Sequence, residues 1–338
     1  MLESMFNENE LKNIVKEKYG LEVLKSEKIN RGSASITKIY TDKKEYILKE
    51  FQEKYNKDFI IKEIDIVNFL SNRNMKVPVY IKCLDGKYYF EENERVVILQ
   101  EYIDGYTIEN NNGNMDQVIE SAKYLGMITK ELESYDKLWK WDVESWFTKD
   151  YLENAIKKHE ELLEMFEEEK HYEWVKDDIQ EKIEMTKEII ANGGFEDIDK
   201  ITFKNSHGDY SVQQFIYKDG KINAIIDFVS ASCLPICWEI IRSYSYIDKE
   251  CVNGQMNIAH LVEYVKEFEK YVQLNNYDLK YMAYIYLVQI LDSTYGYKQY
   301  IKKNNEQLLN FAKQRTNFAR WLFKNAKDLS SALVEIEN

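Results

Sequence analysis

The sequence predicts an α+β protein of two lobes, a small antiparallel-sheet lobe with one helix followed by a large, mainly helical lobe. Residues 23–100 fall into short stretches rich in alternating β-formers, interrupted by a single helical period. Beyond Asp104-Gly105, apolar residues recur at three and four spacing over long windows. With 338 residues the chain is long enough to bury a sizeable core in each part.

Leu11, Ile14, Val15 and Tyr19 mark a short amphipathic helix that stops at Gly20, a residue suited to the left-handed position after a helix. Strands are expected at 23–30, 36–41, 45–51, 80–84, 88–90 and 96–100. One helix, 57–72, follows the third strand and ends at Asn72-Arg73-Asn74 before Val77-Pro78. Asp85-Gly86 is a second hairpin signal. Segment 100–105 is the crossover, which sets the lobes at 1–102 and 103–338 with a ligand cleft expected between them. Helical periods then cover 116–133, 151–169, 174–191, 235–246, 256–274, 279–302 and 306–324.

Composition excludes several function classes. Lys and Arg number 46 against 59 Asp and Glu, a net charge of −13 that disfavours a broad nucleic-acid-binding face and suits a cationic small molecule. Glu160, Glu161, Glu164, Glu167, Glu168 and Glu169 read first as a solvated helix surface. The longest apolar stretch, near 285–291, is far shorter than a membrane span, and the start has neither a basic region nor an apolar signal core. A cytoplasmic protein with no membrane partner is therefore expected. Cys83, Cys233, Cys237 and Cys251 lack zinc-ligand spacing and read as reduced, mostly buried thiols.

The chemistry concentrates in Ser206-His207-Gly208-Asp209-Tyr210 and, shortly after, Ile225-Ile226-Asp227-Phe228. Gln213, Phe215 and Tyr217 alternate, as do Ile222, Ala224 and Ile226, around the hairpin turn Asp219-Gly220. Pairing about that turn sets residue 212 opposite 227 and brings Asp209, Gln214 and Asp227 to the open end of the hairpin. Lys49 interrupts the apolar alternation of 46–51, and Glu63 stands at the edge of the stripe made by Ile64, Val67 and Leu70. A strand lysine and a glutamate on the next helix can pair, fixing an amine where phosphates bind. The run Asn30-Arg31-Gly32-Ser33-Ala34-Ser35 joins two strands through small residues whose amides can approach a phosphate. Local roles also fit each residue: Asp209 in a turn, Asp227 at a hairpin end, Lys49 and Glu63 as an ordinary ion pair.

Taken in order, Lys49, Glu63, the Gln100-Glu101-Tyr102-Ile103 crossover, His207-Gly208-Asp209 with an amide five residues later, and Asp227 resemble aminoglycoside phosphotransferases and choline kinases. The resemblance spans roughly residues 20 to 245 and reaches the wider protein-kinase-like fold. It implies that Asp209 takes or orients the substrate hydroxyl proton, that Asp227 and Gln214 bind Mg²⁺, and that Lys49, held by Glu63, contacts the ATP phosphates. It further implies that Ser33, Ala34 and Ser35 cover the triphosphate and that the backbone from Glu101 to Ile103 holds adenine. Three departures stand out. Gln214 replaces the usual Asn, lengthening a metal ligand by a methylene. Thr129 stands where many relatives carry His, and Phe228-Val229 lacks the glycine of switching protein kinases.

The acceptor side is read from the helical lobe. Trp139, Trp141, Trp146, Tyr295, Tyr297, Tyr300 and Trp321 offer aromatic surface, and Glu239, Asp248 and Asp292 offer carboxylates at expected cleft edges. Such a mixture suits an amine-bearing hydroxyl compound, whether an aminoglycoside, an amino alcohol or an amino-sugar. Glu239 and Arg242 are expected to pair within their helix. Two functions follow from the resemblance. One is an ATP-dependent small-molecule kinase, favoured by Lys49, Glu63, Asp209 and Asp227 together. The other is a kinase-shaped binding or structural component, similar to spore-coat relatives, and Gln214 favours it.

Overall fold

Asn7 begins the first helix with a capping box, accepting from the Glu10 amide while the Glu10 side chain accepts from its own. Gly20, at φ 67°, ends that helix in the left-handed conformation anticipated for it. This computed structural model describes residues 3–29, 34–52, 57–136, 138–167, 173–303 and 305–337. In chain order the elements are α1 (Glu8–Tyr19), β1 (Val23–Ile29), β2 (Ser35–Thr41), β3 (Glu45–Glu50), α2 (Lys57–Ser71), β4 (Tyr89–Glu92), β5 (Arg95–Glu101), α3 (Met115–Leu132), α4 (Lys149–Glu167) and α5 (Glu173–Asn192). There follow β6 (Phe203–Ser206), β7 (Phe215–Lys218), β8 (Lys221–Ile225), β9 (Ser232–Pro235), α6 (Ile236–Ile247), α7 (Ile258–Glu269), α8 (Asn276–Asp292), α9 (Tyr295–Lys303) and α10 (Glu306–Val334).

Two compact units result, Met1–Thr107 with Gln214–Ala231, and Ile108–Gln213 with Ser232–Asn338. The sequence reading assigns the β7–β8 hairpin to the helical lobe, whereas its contacts group it with the sheet. The reason is backbone pairing: the Ile225 N–H donates to the Lys76 carbonyl at 2.8 Å, and Tyr106 and Tyr217 exchange N–H···O bonds of 2.8 and 2.7 Å. Gly105 makes that approach possible, because a Cβ at its φ of 148° would strike the Tyr217 carbonyl.

The first unit is built on a five-stranded antiparallel sheet in the order β1-β2-β3-β5-β4. Tyr46 and Leu48 of β3 join Val97 and Leu99 of β5 beneath Leu11 and Val15 of α1. Val96, Val97, Ile98 and Leu99 are all buried in succession, as in a strand covered on both faces. The expected strand 80–84 is absent apart from a single bridge between Tyr80 and Gln100. Asp85-Gly86 closes a tight turn, with the Gly86 N–H on the Cys83 carbonyl, but the hairpin of this region turns instead at Asn93-Glu94, both at positive φ (46° and 63°). The 89–92 run pairs with β5 across that turn, Phe90 facing Val97 as the one pair buried on both sides.

In the second unit α8 buries residues all round its circumference, including Tyr281, Met282, Ile285, Tyr286, Val288 and Leu291, and is the central helix. The helix expected over 279–302 breaks at Ser293, which is extended at φ −75°, ψ 120°, giving α8 and α9. α10 runs 29 residues, beyond the expected end at 324. Cys83, Cys237 and Cys251 are buried and Cys233 half-buried, all as free thiols. Among the described residues no helix is long and apolar enough to cross a membrane.

Candidate active site

In the first unit, the pleat of β3 turns Tyr46 and Leu48 to the α1 side and Lys49 to the other. There its Nζ lies 2.9 Å from Asp227 Oδ1 and 3.8 Å from Glu63 Oε1. Glu63 is not at the edge of its helix stripe, as expected, but wholly inside it at 1% exposure, where it also accepts from the Tyr80 hydroxyl at 3.2 Å. Burial pushes the Glu63 carboxyl above its ordinary range; Lys49 opposes this, while Asp227 adds to it. Asp227 follows β8 in the left-handed conformation, φ 69° and ψ 58°, unusual for a residue with a side chain. A strained backbone directly at a charge cluster is the kind of outlier that marks a functional position.

The hairpin that carries Asp227 turns at Asp219-Gly220, with φ of 52° and 75° as a type I′ turn requires. Its register differs from the expected one. Lys218 faces Lys221 and Tyr217 faces Ile222, but Ile216 then faces Ala224 and Phe215 faces Ile225. Asn223 is thus the extra residue of a bulge, its amide donating to the Asp104 carbonyl at 3.0 Å. The shift puts Gln214, rather than the expected residue 213, beside Ile226, whose N–H its carbonyl accepts at 3.0 Å.

Of the remaining nucleotide candidates, Ser33 lies outside the described residues. Ala34 and Ser35 are buried, and the Ser35 hydroxyl donates to the buried Glu50 at 3.3 Å. Glu50 itself holds the Ser4 hydroxyl at 2.6 Å and the Met5 amide at 2.8 Å, a structural use of a carboxylate. Glu101 pairs with Lys44 at 2.5 Å, and its amide donates to the Val79 carbonyl. Ile103 follows the end of β5.

In the second unit, β6 and β9 form a short antiparallel ribbon from which His207, Gly208 and Asp209 emerge. Gly208, at φ 78°, lets the chain turn so that the Asp209 N–H reaches the Nδ1 of fully buried His207 at 3.3 Å. Helix α6 then clamps the turn. Glu239 and Arg242, three apart on its buried face, do not pair with each other as expected. Glu239 accepts the Tyr210 amide at 3.2 Å, while Arg242 donates to the Tyr210 carbonyl at 3.3 Å and to Asp209 Oδ1 at 2.5 Å. Arg242 thus contacts the candidate Asp209, where the sequence predicts a partner in Glu239. The readable signal was two opposite charges on the inward stripe of a helix with large apolar neighbours. The Thr129 hydroxyl donates to the Leu125 carbonyl at 2.8 Å and shares a 3.2 Å contact with Ser206.

The aromatic candidates separate by burial. Tyr297 and Tyr300 are core residues, and Glu239 and Asp248 are buried and engaged rather than lying at an edge. Trp139, Trp141, Trp146 and Asp292, with Tyr151 and Trp238, line a cavity of about 550 Å³. Residues 139–141 reach it by pairing with β9: the Trp141 N–H donates to the Cys233 carbonyl and the Cys233 N–H to the Trp139 carbonyl, each at 2.9 Å. Two residues apart on an extended segment, the two tryptophans share one face. Asp292 is bridged to Lys158 at 2.7 Å.

Residues 28–258 match the family model APH, described as the phosphotransferase enzyme family. No curated protein matches the chain. An aminoglycoside phosphotransferase from Alicyclobacillus acidocaldarius has a similar structure, with TM-score 0.68, 14% identity and 98% of each chain covered. Spectinomycin phosphotransferase, solved with ADP and spectinomycin, gives TM-score 0.63 and 13% identity over 98% of this chain and 100% of that one. The Plasmodium vivax ethanolamine kinase gives 0.59 and 15% over 95% and 91%. At such identities the likeness is one of fold, the kinase-like α+β architecture.

Proposed function

Because this chain belongs to the phosphotransferase enzyme family, we propose that it moves the γ-phosphoryl group of ATP to a hydroxyl of a small, amine-bearing molecule. The observation that carries the reading is Lys49 held between Glu63 and Asp227, a strand, a helix and a hairpin each contributing one charge. Phosphoryl transfer is chiefly a matter of positioning and charge neutralisation, and these are the charges it needs. In this reading Lys49 neutralises the nucleotide phosphates while Glu63 fixes its position. The Ser33–Ser35 segment covers the phosphates and the backbone from Glu101 to Ile103 holds adenine. The Asp209 carboxylate receives the proton of the acceptor hydroxyl. The acceptor's hydroxyl oxygen bonds to the γ-phosphorus as the bond from that phosphorus to the β–γ bridging oxygen breaks, and ADP leaves. Arg242 keeps Asp209 oriented.

Asp227 and Gln214 would hold Mg²⁺. One carboxylate and one amide oxygen beside nucleotide phosphates is a donor set this ion accepts, and when bound it supplies charge neutralisation at the phosphates. An amine on the acceptor has a natural seat among Trp139, Trp141, Trp146 and Tyr151, where Trp146 and Tyr151 stack at 6.4 Å and Trp141 and Trp238 pack at 4.8 Å. Gln214 favours a second reading, a kinase-shaped component with weak or no turnover. An ATP-consumption screen with purified protein across aminoglycosides, amino alcohols and amino-sugars decides between them. Turnover with one class is expected; tight ATP binding with no turnover in any class would leave the second reading standing.

A further inference from the structure

Helices α5, α6, α8, α9 and α10 of the second unit enclose a cavity of about 210 Å³ whose lining includes Lys182, Arg242 and Arg315 but no carboxylate. In a chain of net charge −13, three inward cations are a local reversal of sign. Lys182 is 2% exposed and, among the described residues, donates to the Ser293 carbonyl alone, at 2.7 Å. Arg315 is 9% exposed and held by neutral groups: Nη1 on the Tyr286 hydroxyl at 2.5 Å and the Ser245 hydroxyl at 3.3 Å, and Nη2 on Gln314 at 3.2 Å. Its Nε has no partner among the described residues.

Of the nearby carboxylates, Asp178 is taken by Arg320 and the Tyr297 hydroxyl, Asp248 by Tyr244 and His260, and Asp292 by Lys158. Arg242 has Asp209 and the buried Glu239 beside it, so Lys182 and Arg315 are the cavity cations with no carboxylate in ion-pair contact among the described residues. Aromatic rings flank Arg315, with Tyr246 at 4.6 Å and Phe318 at 4.4 Å, which offsets part of its burial but supplies no counter-charge. Buried cations without an anion are costly, and an anionic ligand removes the cost.

This cavity neighbours the tryptophan-lined one, with Gln289 and Ser293 in the lining of both. The tryptophan-lined cavity is aromatic and borders Asp292; its neighbour is cationic and includes the guanidinium that grips Asp209. We propose that the acceptor is a hydroxylated zwitterion, its amine on the tryptophan side and an oxyanion, carboxylate or phosphate, docked among Lys182, Arg242 and Arg315. The inference rests on the phosphotransferase reading and narrows its substrate class.

The test is calorimetric titration of the full chain, free of nucleotide, with choline, 3-hydroxypropanoate, glycerol 3-phosphate and glycerophosphocholine. Both anions are expected to bind, the tighter one identifying carboxylate or phosphate as the preferred group. Glycerophosphocholine should bind about tenfold or more tighter than choline, and Arg315→Gln should weaken the anions about tenfold while sparing choline. Lys182→Met serves as the second variant where Arg315→Gln fails to fold. Binding of choline without either anion, or anion binding that neither variant weakens, overturns the proposal. ADP release is scored separately. Arg315-dependent anion binding with no ADP formed from any probe keeps the anion site and rejects phosphotransfer. ADP formed from choline alone keeps phosphotransfer and rejects the zwitterion.

Discussion

The two units of the molecule handle buried charge in opposite ways. In the first, one lysine faces two carboxylates: Lys49 sits between Glu63 and Asp227, and the excess is negative. In the second, Lys182, Arg242 and Arg315 line one cavity whose wall has no carboxylate among the described residues; Arg242 pairs with Asp209 outside that wall, while Lys182 and Arg315 bond neutral oxygens, so the wall itself has a positive excess. A cluster with negative excess has room for a cation such as a magnesium ion; a cluster with positive excess has room for an anion. Overall charge hides this, because −13 is a sum over the whole chain and says nothing of how the charges are distributed.

The comparison breaks most sharply at Asp209. Asp209→Asn should lower turnover about 10²- to 10⁴-fold, as loss of a general base does, while ATP still raises the melting temperature. Undiminished ADP release would show that the carboxylate on Arg242 is structural.

Lys182→Met probes the positive cluster through stability. Burial lowers the Lys182 amine from its ordinary 10.5 to about 7, against the opposing pull of Asp292 and Asp178. Below the folded value both folded and unfolded chains carry the charge and the burial penalty is complete. Between about 7 and 10.5 the unfolded chain holds more protons, so the stability of the native sequence rises with pH across that window. Lys182→Met should therefore be more stable by on the order of 2–4 kcal/mol near pH 6, a gain that fades as pH approaches 10.5. Urea melts at the two ends of the range measure it; a gain independent of pH would mean that packing, not charge, is responsible.

Lys49→Met acts on the negative cluster. It removes the cation that opposes the upward push on Glu63, so at neutral pH the fold should lose about 1–3 kcal/mol, Lys49 being largely buried. The sign follows from Glu63, whose raised value means that its burial penalty appears as pH rises through that value. The loss should accordingly shrink in acid, and denaturant melts at acid and neutral pH would expose a constant loss if the pair does not matter. The smallest effect is expected at Gln214→Asn, with turnover unchanged or raised within about threefold and a lower magnesium requirement. A clear fall in a magnesium titration would show that the longer side chain is adapted to this site.

Much of this was legible in the chain. The α1 caps, the Asp219-Gly220 turn and the alternation that turns Lys49 away from Leu48 are short-range effects, and each is present. Glu63 was visible as Lys49's partner but not as a buried group, because the depth of a helix face depends on what packs over it. The bulge at Asn223 was not readable, since a one-residue shift is fixed by the Asp104 carbonyl far along the chain. The positive cluster left one trace that went unread: Val175, Ile179, Lys182, Thr186 and Ile189 form a single buried stripe of α5, with a lysine in its middle.

The α+β order of elements, the turn that carries Asp227 and the ordered set of Lys49, Glu63, Asp209 and Asp227 are all local properties of the chain, because period, turn chemistry and motif spacing act over a few residues. Packing of distant segments is what groups the hairpin with the sheet, sets Arg242 on Asp209 instead of Glu239, and turns three cations toward one cavity. Those outcomes depend on which distant groups lose their water together, and no local pattern encodes that.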